Sequence, residues 1–230
     1  WRLSLRPILE RVEVTRTKPP VRVVEESTTR LPPPKVLHGS SAAWRVHIAG
    51  VRGNQPGVVG TILMQAGMQM GYEVRAQCNN RFVGPDRRAW AQLLFTRKQA
   101  SNTYRPLLGA IPWGEADVIF GWDKEEFLRA INQQGNLRVG SSDRTYAIIN
   151  NEPIEHQTSF KEDNSEQNRL DEELIKYSCR KDGLVLRGFA SLARYRFHNE
   201  RLGDIVQLGM AFQLGYIPVT VDAMHAAISE

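Results

Sequence analysis

Residues 44–76 confine this chain to a narrow set of architectures. Trp44-Arg-Val-His-Ile-Ala49 is a short run of β-branched and apolar residues, the composition of a strand. It leads directly into Gly50-Val-Arg-Gly53-Asn-Gln-Pro-Gly57-Val-Val-Gly60. The spacing of Ile62, Leu63, Ala66 and Met70 predicts a helix from about Val58 to Met70, and Gly71 stands where a glycine past a helix C-terminus belongs. Tyr72 to Ala76 reads as a second strand. A strand, a glycine turn, a helix and a strand in that order are the opening of a parallel β-α-β sheet.

The remainder extends the same pattern. Trp90 to Thr96, Val118 to Phe120, Leu137 to Val139 and Thr145 to Ile149 read as strands. Lys124 to Ile131 and Asp171 to Tyr177 read as helices, and residues 151–166 as a polar, mobile connection. Ile205 to Leu214 is an apolar helix ended by Gly215 and Pro218, and Thr220 caps a last helix running through Ile228. The fold class expected is α/β, a Rossmann-like open sheet, mostly parallel, with an extended N-terminal arm. Residues 1–43 form that arm or linker. Pro19-Pro20 and Pro32-Pro33-Pro34 favour extended chain, and the short apolar pieces between charges cannot build a core. Residues 44–230 form the α/β domain.

Charge and thiol content exclude several functions. Residues 1–45 carry nine Lys or Arg against four Glu, and residues 46–230 carry 21 of each sign, so the excess of +5 belongs to the arm and the domain is neutral. A nucleic-acid surface needs cations on a folded face, so no nucleic-acid partner is expected, and an acidic neighbouring subunit suits the arm better. No run of 18 apolar residues occurs, so no membrane partner is expected. Two cysteines, Cys78 and Cys179, suit a reducing cytoplasm and cannot supply the four thiolates of an iron–sulfur cluster or the pairs of a structural zinc site. The first residue is Trp1, which fits a chain trimmed or cut from a longer polypeptide.

The glycine turn is the main candidate for chemistry. Glycines ahead of a helix N-terminus let backbone N–H groups approach an anion closely, and the helix dipole adds partial positive charge. Gly50, Gly53, Asn54, Gln55 and Gly57 are therefore candidate phosphate or pyrophosphate contacts; the alternative is a tight turn that binds nothing. A dinucleotide enzyme also needs an acid at the end of the second strand to hold a ribose, and Arg75-Ala-Gln-Cys78-Asn-Asn80 has none. The spacing is not GxGxxG. No histidine stands with a nucleophile. His47, on a buried strand, reads as a packed or hydrogen-bonded core residue. Trp90, Trp113 and Trp122 read as core or interface aromatics, and Glu115 and Asp117 as a structural turn or an acid pair.

Four segments, in order, resemble the gamma subunits of pyruvate and other 2-oxoacid:ferredoxin oxidoreductases. The glycine turn resembles that family's Gly-x-Gly-Gly-x-Gly-Val-Val opening. Val83-Gly84-Pro85-Asp86-Arg87-Arg88 resembles its Tyr-Gly-Pro-Glu-x-Arg-Gly-Gly loop. Ile111-Pro-Trp-Gly-Glu-Ala-Asp117-Val-Ile-Phe-Gly-Trp-Asp123 resembles its Gly-Glu-Ala-Asp, apolar strand, Asp segment. Arg201-Leu-Gly-Asp204-Ile-Val-Gln-Leu-Gly209 with Leu214-Gly-Tyr-Ile-Pro218 resembles its closing helix. The likeness covers residues 44–229, and the tail is most similar to the indolepyruvate branch. Two extra residues in the glycine loop, Arg87-Arg88-Ala89 for Arg-Gly-Gly and Asp204 for the closing Asn mark a divergent member.

The resemblance implies a component of a complex that decarboxylates a 2-oxo acid on thiamine diphosphate and magnesium, passes electrons through 4Fe-4S clusters to a ferredoxin-like acceptor, and releases the acyl group on coenzyme A. None of these cofactors is expected on this chain alone, and no residue of it is expected to be catalytic. Thiamine-binding alpha and beta subunits and an iron–sulfur component are the expected partners. Gly84, Pro85, Arg87 and Arg88 are a candidate loop facing a partner or coenzyme A, since guanidinium groups suit bidentate phosphate or carboxylate contacts; the alternative is a solvated or internally paired loop. Two rival functions are a free dinucleotide-binding dehydrogenase domain and a non-catalytic assembly module.

Overall fold

A computed structural model describes residues 32–38, 43–51, 56–79, 88–97, 109–135, 137–152 and 165–229. The chain divides into two units, Trp1–Pro32 and Pro33–Glu230, and the description that follows is of the second. Six strands are described: β1 (Ala43–Val51), β2 (Tyr72–Asn79), β3 (Arg88–Arg97), β4 (Val118–Gly121), β5 (Tyr146–Asn150) and β6 (Leu184–Arg187). Six α-helices accompany them: α1 (Pro56–Gln69), α2 (Lys124–Ile131), α3 (Ser165–Ser178), α4 (Phe189–Phe197), α5 (Gly203–Gln213) and α6 (Val221–Ser229). The expected α/β class is the one observed.

The strands form one sheet in the order β2-β3-β1-β4-β5-β6. β1, β4, β5 and β6 are parallel neighbours, whereas β3 pairs antiparallel with both β1 and β2. The parallel β-α-β opening read from the sequence is thus split: β1 and β2 run the same way but are separated by β3. Connection length explains it. Only residues 80–87 join β2 to β3, too few for a crossover, which takes about a dozen residues or more, so the chain returns antiparallel.

Alternation along β1 sorts the two layers. Trp44, Val46 and Ile48 face a cluster with Ala91, Leu93 and Phe95 of β3, Val59, Leu63 and Ala66 of α1, Leu208 and Ala211 of α5, and Ala223, Met224 and Ala227 of α6. The opposite face holds Ile119, Ala147 and Ile149 against Phe127, Ala130 and Ile131 of α2 and Ile175 of α3. Full burial of each such large side chain contributes about 1.5–3 kcal/mol.

Residues 137–139 are not the strand expected of them. The N–H groups of Val139 and Gly140 both donate to the Ala130 carbonyl, at 2.8 and 3.2 Å, so this segment turns back to satisfy the end of α2. β6 and α4, bounded by Gly183 and Gly188, were not anticipated. The helix expected over Asp171 to Tyr177 extends from Ser165 to Ser178. Thr220 caps α6 as predicted, its hydroxyl accepting from Ala223 N at 3.3 Å.

Part of the proline-rich segment lies on the domain. Leu37 N donates to Gly215 O at 2.9 Å, and the His38 ring meets the edge of Tyr146 at 5.2 Å. Gly215 has φ +78, and a Cβ there would lie 2.0 Å from Lys35 O, so both conformation and contact demand glycine.

Candidate functional site

The reversal in strand order falls between β1 and β4. The chain leaves β1 through α1 toward β2, and leaves β4 through α2 toward β5 on the other side. In open α/β sheets, the crevice beyond the carboxyl ends of strands at such a point is where ligands bind. The strand ends that flank both loops singled out in the sequence lie at this edge. Val51, the last residue of β1, pairs with Arg88, the first of β3. The chain therefore leaves β1 and enters β3 at paired positions.

Gly50 is not in the turn itself: it lies within β1, paired with Ala89 and buried. Gly57 is in the first turn of α1, exposed, with nothing within 4 Å of an added Cβ, and its carbonyl accepts from the Thr61 hydroxyl at 2.7 Å. Gly53, Asn54 and Gln55 lie outside the described residues, as do Gly84, Pro85 and Arg87; Arg88 is placed by its backbone alone.

The helix ends at this edge differ in charge. Asp123 caps α2, its carboxylate accepting from Glu126 N at 2.9 Å. The start of α4 is also occupied: Asn150 accepts from Phe189 N at 3.0 Å, and the Glu152 carboxylate accepts from Ser191 N at 2.8 Å. Those N-termini already hold negative charge. The first turn of α1 has no acidic residue of its own, and among the described residues no carboxylate is bonded to it. Among α1, α2 and α4, α1 is the end suited to a bound anion.

Four residues shape the crevice floor, and of these sequence reasoning singled out Trp122 alone. Gln207 of α5, buried, donates its amide to Ile148 O at 2.6 Å and Gly121 O at 3.3 Å, tying α5 to the end of β4 and the middle of β5. Trp122, read as a core or interface aromatic, is buried just past β4, and its indole N–H has no hydrogen-bond partner. Asn150 and Glu152 gave no signal beyond being polar residues after an apolar run; their role depends on α4, which comes later in the chain.

Other sequence candidates have structural settings. His47 is buried; the Gln92 amide donates to its Nδ1 at 3.3 Å, and Ile111 N donates to Gln92 Oε1 at 2.9 Å. Trp90 stacks on His47 with ring centroids 6.3 Å apart. Burial without an opposing carboxylate lowers the His47 pKa to about 4, so it is neutral at pH 7. Asp117 is buried, accepting from Arg45 N at 2.8 Å and Arg144 Nε at 2.7 Å, and Glu115 pairs instead with Arg45 at 3.1 Å. The two acids are therefore engaged separately at the amino end of β4, away from the crevice. Trp113 is 68% exposed. Among the described residues, no group of three His, Cys, Asp or Glu side chains could hold a metal ion, and no helix is long and apolar enough to cross a membrane.

The position of β2 bears on the dinucleotide alternative. That reading needs an acid at the end of a strand adjacent to β1. Here β3 intervenes, which sets β2 roughly 10 Å from β1 at ordinary strand spacing. The end of β2 is Gln77-Cys78-Asn79, without an acid.

No family model matches this chain, and no curated protein matches it in sequence. Solved structures do match in fold. A 2-oxoglutarate:ferredoxin oxidoreductase from Magnetococcus marinus, with 2-oxoglutarate, coenzyme A and succinyl-CoA bound, matches over 82% of this chain at 13% identity and TM-score 0.52. This chain spans 27% of that one. A pyruvate oxidoreductase subunit from Thermotoga maritima matches over 82% of this chain and 84% of its own, at 13% identity and TM-score 0.51. The gamma subunit of a keto/oxoacid ferredoxin oxidoreductase from Geobacter sulfurreducens matches over 80% and 84%, at 13% identity and TM-score 0.49. The fold implied by the sequence resemblance is the fold these structures share with the chain.

Proposed function

We propose that this chain is a gamma-type subunit or domain of a 2-oxoacid:acceptor oxidoreductase complex, supporting thiamine-dependent oxidative decarboxylation of a 2-oxo acid to an acyl-CoA. The observation that carries the reading is the likeness of fold over 82% of this chain and 84% of a separate pyruvate oxidoreductase subunit, joined to four motif segments in matching order.

The residues present do not fit the redox cofactors of such a complex. Cys78 is exposed on β2, and Cys179 is buried after α3 with its thiol pushed up to about 12 by desolvation. Cys179 is not a ready thiolate ligand, and two cysteines could not complete a cluster. Thiamine diphosphate, its magnesium and the clusters are assigned to thiamine-binding and iron–sulfur companions in the cytoplasm, with a ferredoxin-like acceptor beyond them.

This chain's own contribution is assigned to the crevice at the β1–β4 reversal. The N-terminus of α1 and the turn containing Gly53, Asn54 and Gln55 would receive a phosphate group. The loop containing Arg87 and Arg88, entering beside Val51, would supply guanidinium contacts to the same anion or to a carboxylate of a companion.

The test is recovery of the chain, with its companions, from the organism that makes it. Thiamine diphosphate, cluster iron and coenzyme A-dependent reduction of an artificial one-electron acceptor by a 2-oxo acid are the expected properties of that particle. A chain that purifies without thiamine-binding companions, or that turns over a substrate alone, overturns the reading. In the particle, Arg87→Ala should raise KM for coenzyme A about tenfold or more; an unchanged coenzyme A dependence removes the arginine loop from the site.

A further inference from the structure

Helix α4 and the segment after it form a surface the domain does not use. The stripe Phe189–Ala193–Phe197 recurs every four residues, the spacing of a core-facing helix edge. Phe189 and Ala193 are buried, but Phe197, next in line, is 56% exposed. The stripe runs past the end of the protein's own core. Every residue from Arg194 to Leu202 is exposed, including Tyr195 at 79%, and Leu192 and Leu202 lie at the margins.

This surface is nonetheless ordered. His198 closes α4 in the left-handed conformation, φ 54, its N–H donating to Arg194 O at 2.9 Å. Asn199 caps the short 3-10 helix Glu200–Leu202, accepting from Arg201 N at 3.1 Å, and Arg194 is ion-paired with Glu200. A preorganised apolar surface costs less ordering entropy when it binds.

Its charge is one-sided. Arg194, Arg196 and Arg201 face solvent with Glu200 the one carboxylate among them, and neither Arg196 nor Arg201 has a side-chain partner among the described residues. Exposed Tyr, Phe and Arg together are the composition of binding hot spots between proteins.

We propose that α4 and its 3-10 extension dock an acidic protein subunit, which covers Phe197 and Tyr195 with apolar side chains and meets Arg196 and Arg201 with carboxylates. A polyanion such as single-stranded nucleic acid would also meet arginines and aromatics. The domain as a whole argues against it: residues 46–230 carry 21 charges of each sign, so the cationic island has no wider positive field around it. The inference rests on the reading of the chain as a component of a complex and specifies the face used.

The test uses the full chain, recovered with its companions from its own organism. Amide exchange over Ala190–His198 should be slowed about tenfold or more in the particle relative to the isolated chain. Two variants, Tyr195→Ser with Phe197→Ser and Arg196→Glu with Arg201→Glu, change only exposed side chains. Each should weaken retention of the acidic companion about tenfold or more, and raising salt should weaken the unaltered complex more than the charge-reversed one. If a variant fails to fold, the exchange comparison on the unaltered chain still decides. A thiamine-binding particle in which α4 exchanges freely, or which both variants retain at full strength, overturns this inference and leaves the functional reading intact. So does binding of a labelled single-stranded oligonucleotide that the charge reversal abolishes while the companion is kept. A chain without any companion overturns both.

Discussion

The side-chain amide of Gln207 reaches from α5 to the carbonyl oxygen of Ile148 at 2.6 Å, in the middle of β5. The same amide approaches Gly121 O at 3.3 Å, so one polar side chain bridges two neighbouring parallel strands. Gln207 is 1% exposed, and water cannot replace it easily.

Gln207→Leu keeps the bulk of the side chain and deletes both bonds. A loss of about 1–2 kcal/mol is expected, because two buried hydrogen bonds are deleted while the carbonyls keep their places in the ladder. Urea denaturation of the full chain measures it; a loss within a few tenths of a kcal/mol would show that the two carbonyls find other partners.

Asp117 holds Arg45 N and Arg144 Nε together at the amino end of β4, with His38 Nδ1 at 3.9 Å. Asp117→Ala leaves the Arg45 N–H unpaired, for an expected loss of about 2–4 kcal/mol. The same change should free the 35–38 segment, read as faster proteolytic cleavage after Lys35.

Acid should destabilise the domain through His47. Its folded-state pKa is about 4, below the unfolded value of 6.5, so the unfolded chain binds the extra proton first. The stabilisation is fully present above about pH 6.5 and is lost as pH falls toward 4, by about 3 kcal/mol in all. Burial lowers the His38 pKa in the same direction, opposed by Asp117 and reinforced by Arg144 and Arg180. His47→Gln should flatten the slope of stability against pH between 6.5 and 4, measured by urea titration at each pH.

The two thiols should separate cleanly by reactivity. Cys78 is exposed, whereas Cys179 is buried with its thiol pushed up to about 12. Ellman's reagent at pH 8 should label Cys78 in the native protein and reach Cys179 only after denaturant is added. Rapid labelling of both in the native state would contradict the burial of Cys179.

Local signals made much of this protein legible in one dimension. The α/β class, the start of α1, the span of α2 and the Thr220 cap all rest on interactions within a few residues, which periodicity and composition report directly. So does the buried setting of His47, on a strand whose neighbours are apolar. The placement of β3 between β1 and β2, the turning of 137–139 onto Ala130 and the existence of β6 and α4 depended on partners far along the chain. The same holds for the crevice. The sequence by itself determined a glycine turn before an uncharged helix; only the tertiary structure decided that Glu152 reaches the N-terminus of α4 while, among the described residues, no carboxylate does so at α1. A helix dipole is a local property, but a counter-charge such as Glu152 at α4 is a side chain that folding brings from elsewhere in the chain.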